Sequence, residues 1–231
     1  MMPLSALNET RPLLAHHPIG ASTGFMADER GDWPALVDAA AELSPFTAEL
    51  AALSELELPG LLAYLLSAGD ELPAFRYLSV HAPSKGLKLA EPKLVDSLQR
   101  LPATVDAIVV HPDVIDDPGE YRRLGARLVI ENMDTRKGAG RTADELAPLL
   151  AELPDAGLCL DVAHARDVDA SMDGAHALLD RFADRLRHLH VSSLDDAGHH
   201  VPLTVEDEAA FGPVLRRCRD VPWILEAPLS A

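Results

Sequence analysis

Short apolar runs that end in a histidine or a carboxylate recur along this chain. RYLSVHAP closes its run with His81, AIVVHPD with His111, RLVIEN with Glu131, LCLDVAHA with Asp161, RHLHVSS with His190 and PWILEAP with Glu226. A continuous apolar run is how a parallel strand reads when helices cover both faces of its sheet. A carboxylate or imidazole at the end of such a strand needs a partner or a chemical role, because burying it alone is costly.

Between the runs lie stretches with helical spacing. Residues 33–43, WPALVDAAAEL, place apolar residues at helical intervals, with Asp32 as N-cap and Pro34 in the first turn. IGASTGF reads as a strand before this helix and FTAELAAL as a second strand after it, although AELAALSELEL also fits a helix. LPGLLAYLLSAG reads as a helix closed by Gly69. From Arg76 the alternation is regular, with strands at 77–82, 106–111, 127–131, 157–161, 187–192 and 222–226. Helices fall near 92–101, 118–124, 142–153, 174–186 and 206–217, the third opening on a capping box between Thr142 and Glu145.

Eight strands in repeated βα units imply a parallel sheet with right-handed crossovers, which can close into an α/β (β/α)8 TIM barrel. A doubly wound open sheet is the alternative, and no GxGxxG or Walker loop follows any strand to support it. The final helix of a complete barrel is missing after Glu226. Residues 1–18, read as an extension to one barrel domain at 19–231, or a partner subunit in a homo-oligomer, would cover the gap.

Composition narrows the choice of partners. The 231 residues suit one large α/β domain, and no apolar run nears the roughly 20 residues that cross a bilayer. The N-terminus lacks a charged segment followed by an apolar one, so a cytoplasmic protein is expected. Acidic residues number 37 against 20 basic ones, and the formal charge of -17 disfavours a nucleic-acid substrate. Cys159 and Cys218 form no CxxC pair, so any metal must be held by histidines and carboxylates.

Residues that end barrel strands gather at the C-terminal mouth. Glu131, Asp161, His190 and Glu226 would then form a hard, oxygen-rich set suited to Mn, Mg, Co or Zn. Without a cation these carboxylates would repel one another and take up protons. His188 reads as a hydrogen-bonded core histidine one layer deeper, and His16 and His17 as a solvated lead-in. Asp134, Arg136, Lys137, Asp195 and Asp196 read as loop charges, with Arg136, Lys137 and Arg141 able to bind a single phosphate group.

Taken in order, VHAP, VVHP, IEN, CLDVAH, HLHVSS and ILE resemble the xylose isomerase-like TIM barrels over roughly residues 76–227. That superfamily also holds the type IV AP endonucleases and many sugar isomerases and epimerases. The isomerase resemblance implies one divalent ion on Glu131, Asp161, His190 and Glu226. Glu131 and Glu226 would move a proton beside a sugar carbonyl through an enediolate, and His164 and His81, with Arg136 and Lys137, would bind the sugar or sugar phosphate.

The endonuclease resemblance implies three zinc ions, with His81, His111, His164 and His200 as further ligands and a phosphodiester as substrate. That pattern expects an Asp where this chain has Gly198, so His199, Asp195 or Asp196 would have to substitute. It also expects a glycine-rich segment where the chain reads HHVPLTVEDE. The complete four-ligand set, the aromatic content of 4% and the acidic charge favour the isomerase or epimerase from sequence alone. The phosphodiesterase is the runner-up, and a non-catalytic barrel that binds metal or sugar is a third reading.

Overall fold

The computed structural model describes residues 17–26, 30–69 and 72–229. The barrel strands are β1 (Ile19–Ser22), β2 (Thr47–Ala51), β3 (Tyr77–His81), β4 (Ala107–Val110), β5 (Leu128–Glu131), β6 (Gly157–Asp161), β7 (Leu186–Val191) and β10 (Trp223–Leu225). They close in the order β1-β2-β3-β4-β5-β6-β7-β10, and every neighbouring pair is parallel. The remaining two strands, β8 (Ser193–Leu194) and β9 (His200–Val201), form a small antiparallel hairpin after β7. The fold is therefore a (β/α)8 barrel, as the alternation of runs predicts.

The strand period of two sorts each strand's side chains into an outer and an inner set. Leu78 and Val80, Ile108 and Val110, Leu128 and Ile130, and Leu158 and Leu160 point outward into one continuous apolar layer under the helices. The inward alternates are different in kind. Ala107, Val109, Val129 and Cys159 fill the lower barrel with small side chains against Tyr77. Above them Glu49, His81, Glu131, Asp161 and His190 are buried at the C-terminal end. The register sets Glu49 beside Ser79, Ala51 beside His81 and Asp161 beside His190 across neighbouring strands.

The helices are α1 (Trp33–Leu43), α2 (Leu58–Ala68), α3 (Glu91–Gln99), α4 (Pro118–Tyr121), α5 (Ala143–Glu152), α6 (Val162–Val168), α7 (Asp173–Phe182) and α8 (Val205–Arg217). In α1, Trp33, Leu36, Val37 and Ala40 bury one stripe, and the Asp32 carboxylate caps the Ala35 amide at 3.1 Å. Thr142 caps α5 by accepting from Glu145 N.

Three expectations are corrected. The first strand stops at Ser22, whose hydroxyl accepts from Gly24 N and turns the chain into a 3-10 helix at Thr23–Phe25. The helix expected at 118–124 is a single turn followed by 3-10 backbone broken at Gly125, where φ is 58°. Helix α6 was not expected; it starts where the Asp161 side chain accepts from His164 N, which makes the strand-end carboxylate an N-cap as well.

The lead-in is likewise not a solvated one at His17. Its ring stacks on Trp223 with centroids 3.7 Å apart, and its Nε2 donates to the Val221 carbonyl at 2.7 Å. His16 and most of the expected extension lie outside the described residues. Among the described residues no helix follows β10. None of their helices is long and apolar enough to cross a membrane.

Candidate metal centre

Four groups of side chains have ligand atoms within 4.8 Å of one another: three crowd the barrel mouth, and the fourth, Cys159, His188 and His190, brings in a cysteine where only histidines and carboxylates were expected. His81, from the end of β3, and His111, just after β4, meet Glu131 from β5. Glu131, Asp161, His190 and Glu226 form the second group, and Asp161, His164 and His200 the third. Glu131 belongs to the first two groups and Asp161 to the last two. All four core ligands and all four additional histidines read from the sequence thus fall in one continuous site.

The hydrogen bonds leave His81, His164 and His190 each with one nitrogen for a cation. The Nδ1 of His81 lies 2.9 Å from the Ala82 carbonyl, which can only accept, so this nitrogen carries the proton. Its Nε2 faces the Glu131 carboxylate at 3.3 Å and His111 Nε2 at 3.2 Å. His164 Nδ1 donates to the Asn132 carbonyl at 2.9 Å, which turns Nε2 toward the cavity. His190 Nε2 donates to Glu49 at 3.2 Å, and its Nδ1 faces Glu131 at 3.1 Å and Glu226 at 3.4 Å. A carbonyl or carboxylate behind each of these three rings is the arrangement that fixes the tautomer of a metal-binding histidine.

The carboxylates tell the same story. Asp161 Oδ2 and Glu226 Oε2 are buried without a hydrogen bond, as is His111 Nδ1. Burial alone would raise the Glu131 carboxyl, but His190 and His111 outweigh it and hold it far below the ordinary range. Burial raises Glu226 well above that range, and Asp161, Glu131 and Glu49 add to the effect against the pull of His190. Burial lowers His200 to about 4, leaving a neutral ring. Burial also opposes charge on His190, but Cys159, Glu226, Glu49 and Glu131 raise it well above its ordinary value. A proton shared among opposed acceptors is what a divalent cation would replace. The donor set fits one: Glu131, Asp161, His190 and Glu226 would hold a first ion, His81 and His111 a second with Glu131, and His164 and His200 a third with Asp161.

Two residues at this site escape the reading of strand ends. Glu49 is fully buried on β2 and accepts from Ser79 Oγ at 2.9 Å as well as from His190. Burial favours its neutral form, yet His190, His81 and His188 hold its pKa at about 2. Its signal, a lone acid inside FTAELAAL, was masked by the helical alternative for that stretch. Asp134 is the other. Read as a loop charge, it is only 2% exposed and lies 3.8 Å from His164 Nε2.

The cations after β5 are less free than expected. Arg136 is ion-paired to Asp134, and Lys137 to Asp113 at 2.5 Å, though both still line the cavity. Arg141 is drawn off by Glu145 at 2.6 Å and does not line it. Asp195 is the loop charge expected: it accepts from Ala197 N and His199 N, and it pairs with the exposed His199 at 3.2 Å. None of His199, Asp195 and Asp196 joins a ligand group. His188 is a core histidine, its Nδ1 2.7 Å from the Tyr77 hydroxyl.

The cavity over the centre holds about 530 Å³ and is walled by Phe25, Leu53 and Met133, with Lys85, Arg136 and Lys137 among its cations. Lys85 has no ion-pair partner among the described residues.

Comparison with known families agrees with this geometry. The family model described as xylose isomerase-like TIM barrel matches residues 119–225, from α4 through β10. The match contains Glu131, Asp161, His164, His190 and His200, and it stops one residue before Glu226. The chain is a closed (β/α)8 barrel, and over residues 119–225 it is similar to the xylose isomerase-like TIM barrels. The superfamily is largely enzymatic and includes sugar isomerases, epimerases and endonuclease IV-like enzymes. A comparison with curated proteins finds no match.

Proposed function

We propose that this protein is a metal-dependent hydrolase that cleaves a phosphate ester of a small molecule with two or three divalent ions. One observation carries the reading: Glu131 and Asp161 each belong to two ligand groups. A carboxylate has two oxygens and can bridge two cations, whereas a single-ion site leaves His111 and His200 without a task. Bound cations would supply an activated water and neutralise charge on the phosphoryl oxygens.

The chain's own groups do the rest. Asn132, Glu49 and the Ala82 carbonyl hold the ligand rings in place. Lys85, Arg136 and Lys137 offer positive charge at the rim for an anionic substrate. Phe25, Leu53 and Met133 give it an apolar wall and limit water. A cavity of about 530 Å³ suits a sugar phosphate or similar small ester. The charge of -17 argues against a duplex.

The second reading is the sugar or sugar-phosphate isomerase or epimerase favoured by sequence. It is supported by the completeness of the four-ligand group and by the opposite shifts of Glu131 and Glu226, which suit one base and one acid. Elemental analysis of protein purified without chelator separates the two. Two or three ions per chain with release of p-nitrophenol from bis(p-nitrophenyl) phosphate supports the hydrolase. One ion per chain with exchange of sugar hydrogen for solvent deuterium supports the isomerase. A chain that binds metal and does neither is a binding module.

A further inference from the structure

We infer that the substrate carries a second anionic group besides its phosphate ester, and that Lys85 receives it across the mouth from the segment that holds His200. This deepens the phosphate-ester reading above and rests on it.

Three cations other than histidine line the cavity: Lys85, Arg136 and Lys137. Two of them arrive already neutralised. Arg136 donates through Nε to Asp134 Oδ2 at 2.8 Å, and Lys137 pairs with Asp113 at 2.5 Å. Lys85 has no carboxylate partner among the described residues, so its ammonium is the one of the three that brings net charge to the cavity, with three N–H donors to give. In a chain of formal charge -17, that charge draws an anion to a place the rest of the protein does not favour.

The backbone fixes where Lys85 stands. Ser84 N and Lys85 N both donate to the Leu53 carbonyl at 3.3 Å, and Lys85 forms a parallel bridge with Ser54. Ser54 is held in turn by Glu57, which accepts from its backbone N at 2.8 Å and its hydroxyl at 3.1 Å and pairs with Arg30 at 3.1 Å. The segments after β2 and β3 thus make one wall, which presents Leu53, Ser84 and Lys85 to the cavity.

That wall is close to the cation positions without belonging to them. Lys85 follows the ligand His81 by four residues, a span of at most roughly 14 Å. Strands β3 and β7 stand four apart around the eight-stranded ring, so the wall faces Gly198, His199 and His200 across the mouth. One phosphate held by cations leaves most of a cavity of about 530 Å³ for the rest of the molecule. A small molecule with an anionic group at each end reaches from the cations to Lys85.

The test is calorimetric binding of fructose 6-phosphate and fructose 1,6-bisphosphate, which differ by one phosphate, to the zinc-loaded full chain and to Lys85→Met and Lys85→Arg. The wild type and Lys85→Arg should bind the bisphosphate about tenfold more tightly, the gain expected of one charge-assisted hydrogen bond. Lys85→Met should bring the two probes to within about twofold of each other, with its melting temperature and its affinity for the monophosphate unchanged. A preference that survives in Lys85→Met would overturn the inference, as would equal weakening of both probes, which marks a general attraction. Equal affinity of the wild type for the two probes would overturn it and leave the phosphate-ester reading standing. Binding of neither probe would overturn both.

Discussion

Glu49 on β2 accepts a hydrogen bond from His190 Nε2 on β7 at 3.2 Å, across the interior of the barrel. The bond holds the histidine's other nitrogen toward Glu131 and Glu226. In Glu49→Gln the amide can present either a donor or an acceptor to that ring, and the orientation loses its charge-assisted support. Metal affinity should fall about 10- to 100-fold, the usual cost of losing such a partner, measured by competition with a coloured chelator.

Glu131 stands at the junction of two ligand groups. Glu131→Gln should therefore lose more than one ion, whereas His111→Ala should lose only one. Elemental analysis of the two variants side by side checks this, and equal losses would argue against a bridging role.

The folded state keeps His17 neutral. Burial between Trp223 and the Val221 carbonyl, aided by nearby Arg219, lowers its pKa below 6.5 even though the hydrogen bond to Val221 acts the other way. The unfolded chain then takes up a proton that the folded chain refuses. Stability from this residue is present above the unfolded value of about 6.5 and lost as pH falls below it. His17→Gln keeps a donor for Val221 but cannot titrate, so its melting temperature should fall less than that of the wild type between about pH 7.5 and pH 5.5. Parallel declines in differential scanning fluorimetry would sink the idea.

Gly20 lets β1 approach β2 so closely that a methyl group there would overlap the Thr47 carbonyl oxygen. The obstacle is backbone, which cannot swing aside as a side chain can. Gly20→Ala should cost at least about 1–3 kcal/mol, read as a lower urea midpoint with an unchanged slope.

The alternation of strands and the placing of His81, His111 and His190 at the mouth were legible in the sequence because both follow from local pattern. A strand buried on both faces leaves an apolar run, and its last residue is at the mouth whatever the helices do. Glu49 and Asp134 were not legible for the same reason. Glu49 lies within its strand, two residues before the last one, Ala51, and it is paired with Ser79 and His190 from other strands. Asp134 looks like any loop acid until Arg136 and His164 are placed around it. Helix α6 was hidden because its start depends on the Asp161 side chain accepting from His164 N, a contact that only the folded backbone brings about.

The Asn132 side chain bridges the Asp161 backbone, accepting from its N–H at 2.8 Å and donating to its carbonyl at 3.0 Å. It continues the β5–β6 ladder by one rung beyond the strands and ties the start of α6, which carries His164, to the loop that carries Asp134. One amide thus ties the two strand ends that carry Glu131 and Asp161, so a change at Asn132 would disturb two ligand groups at once.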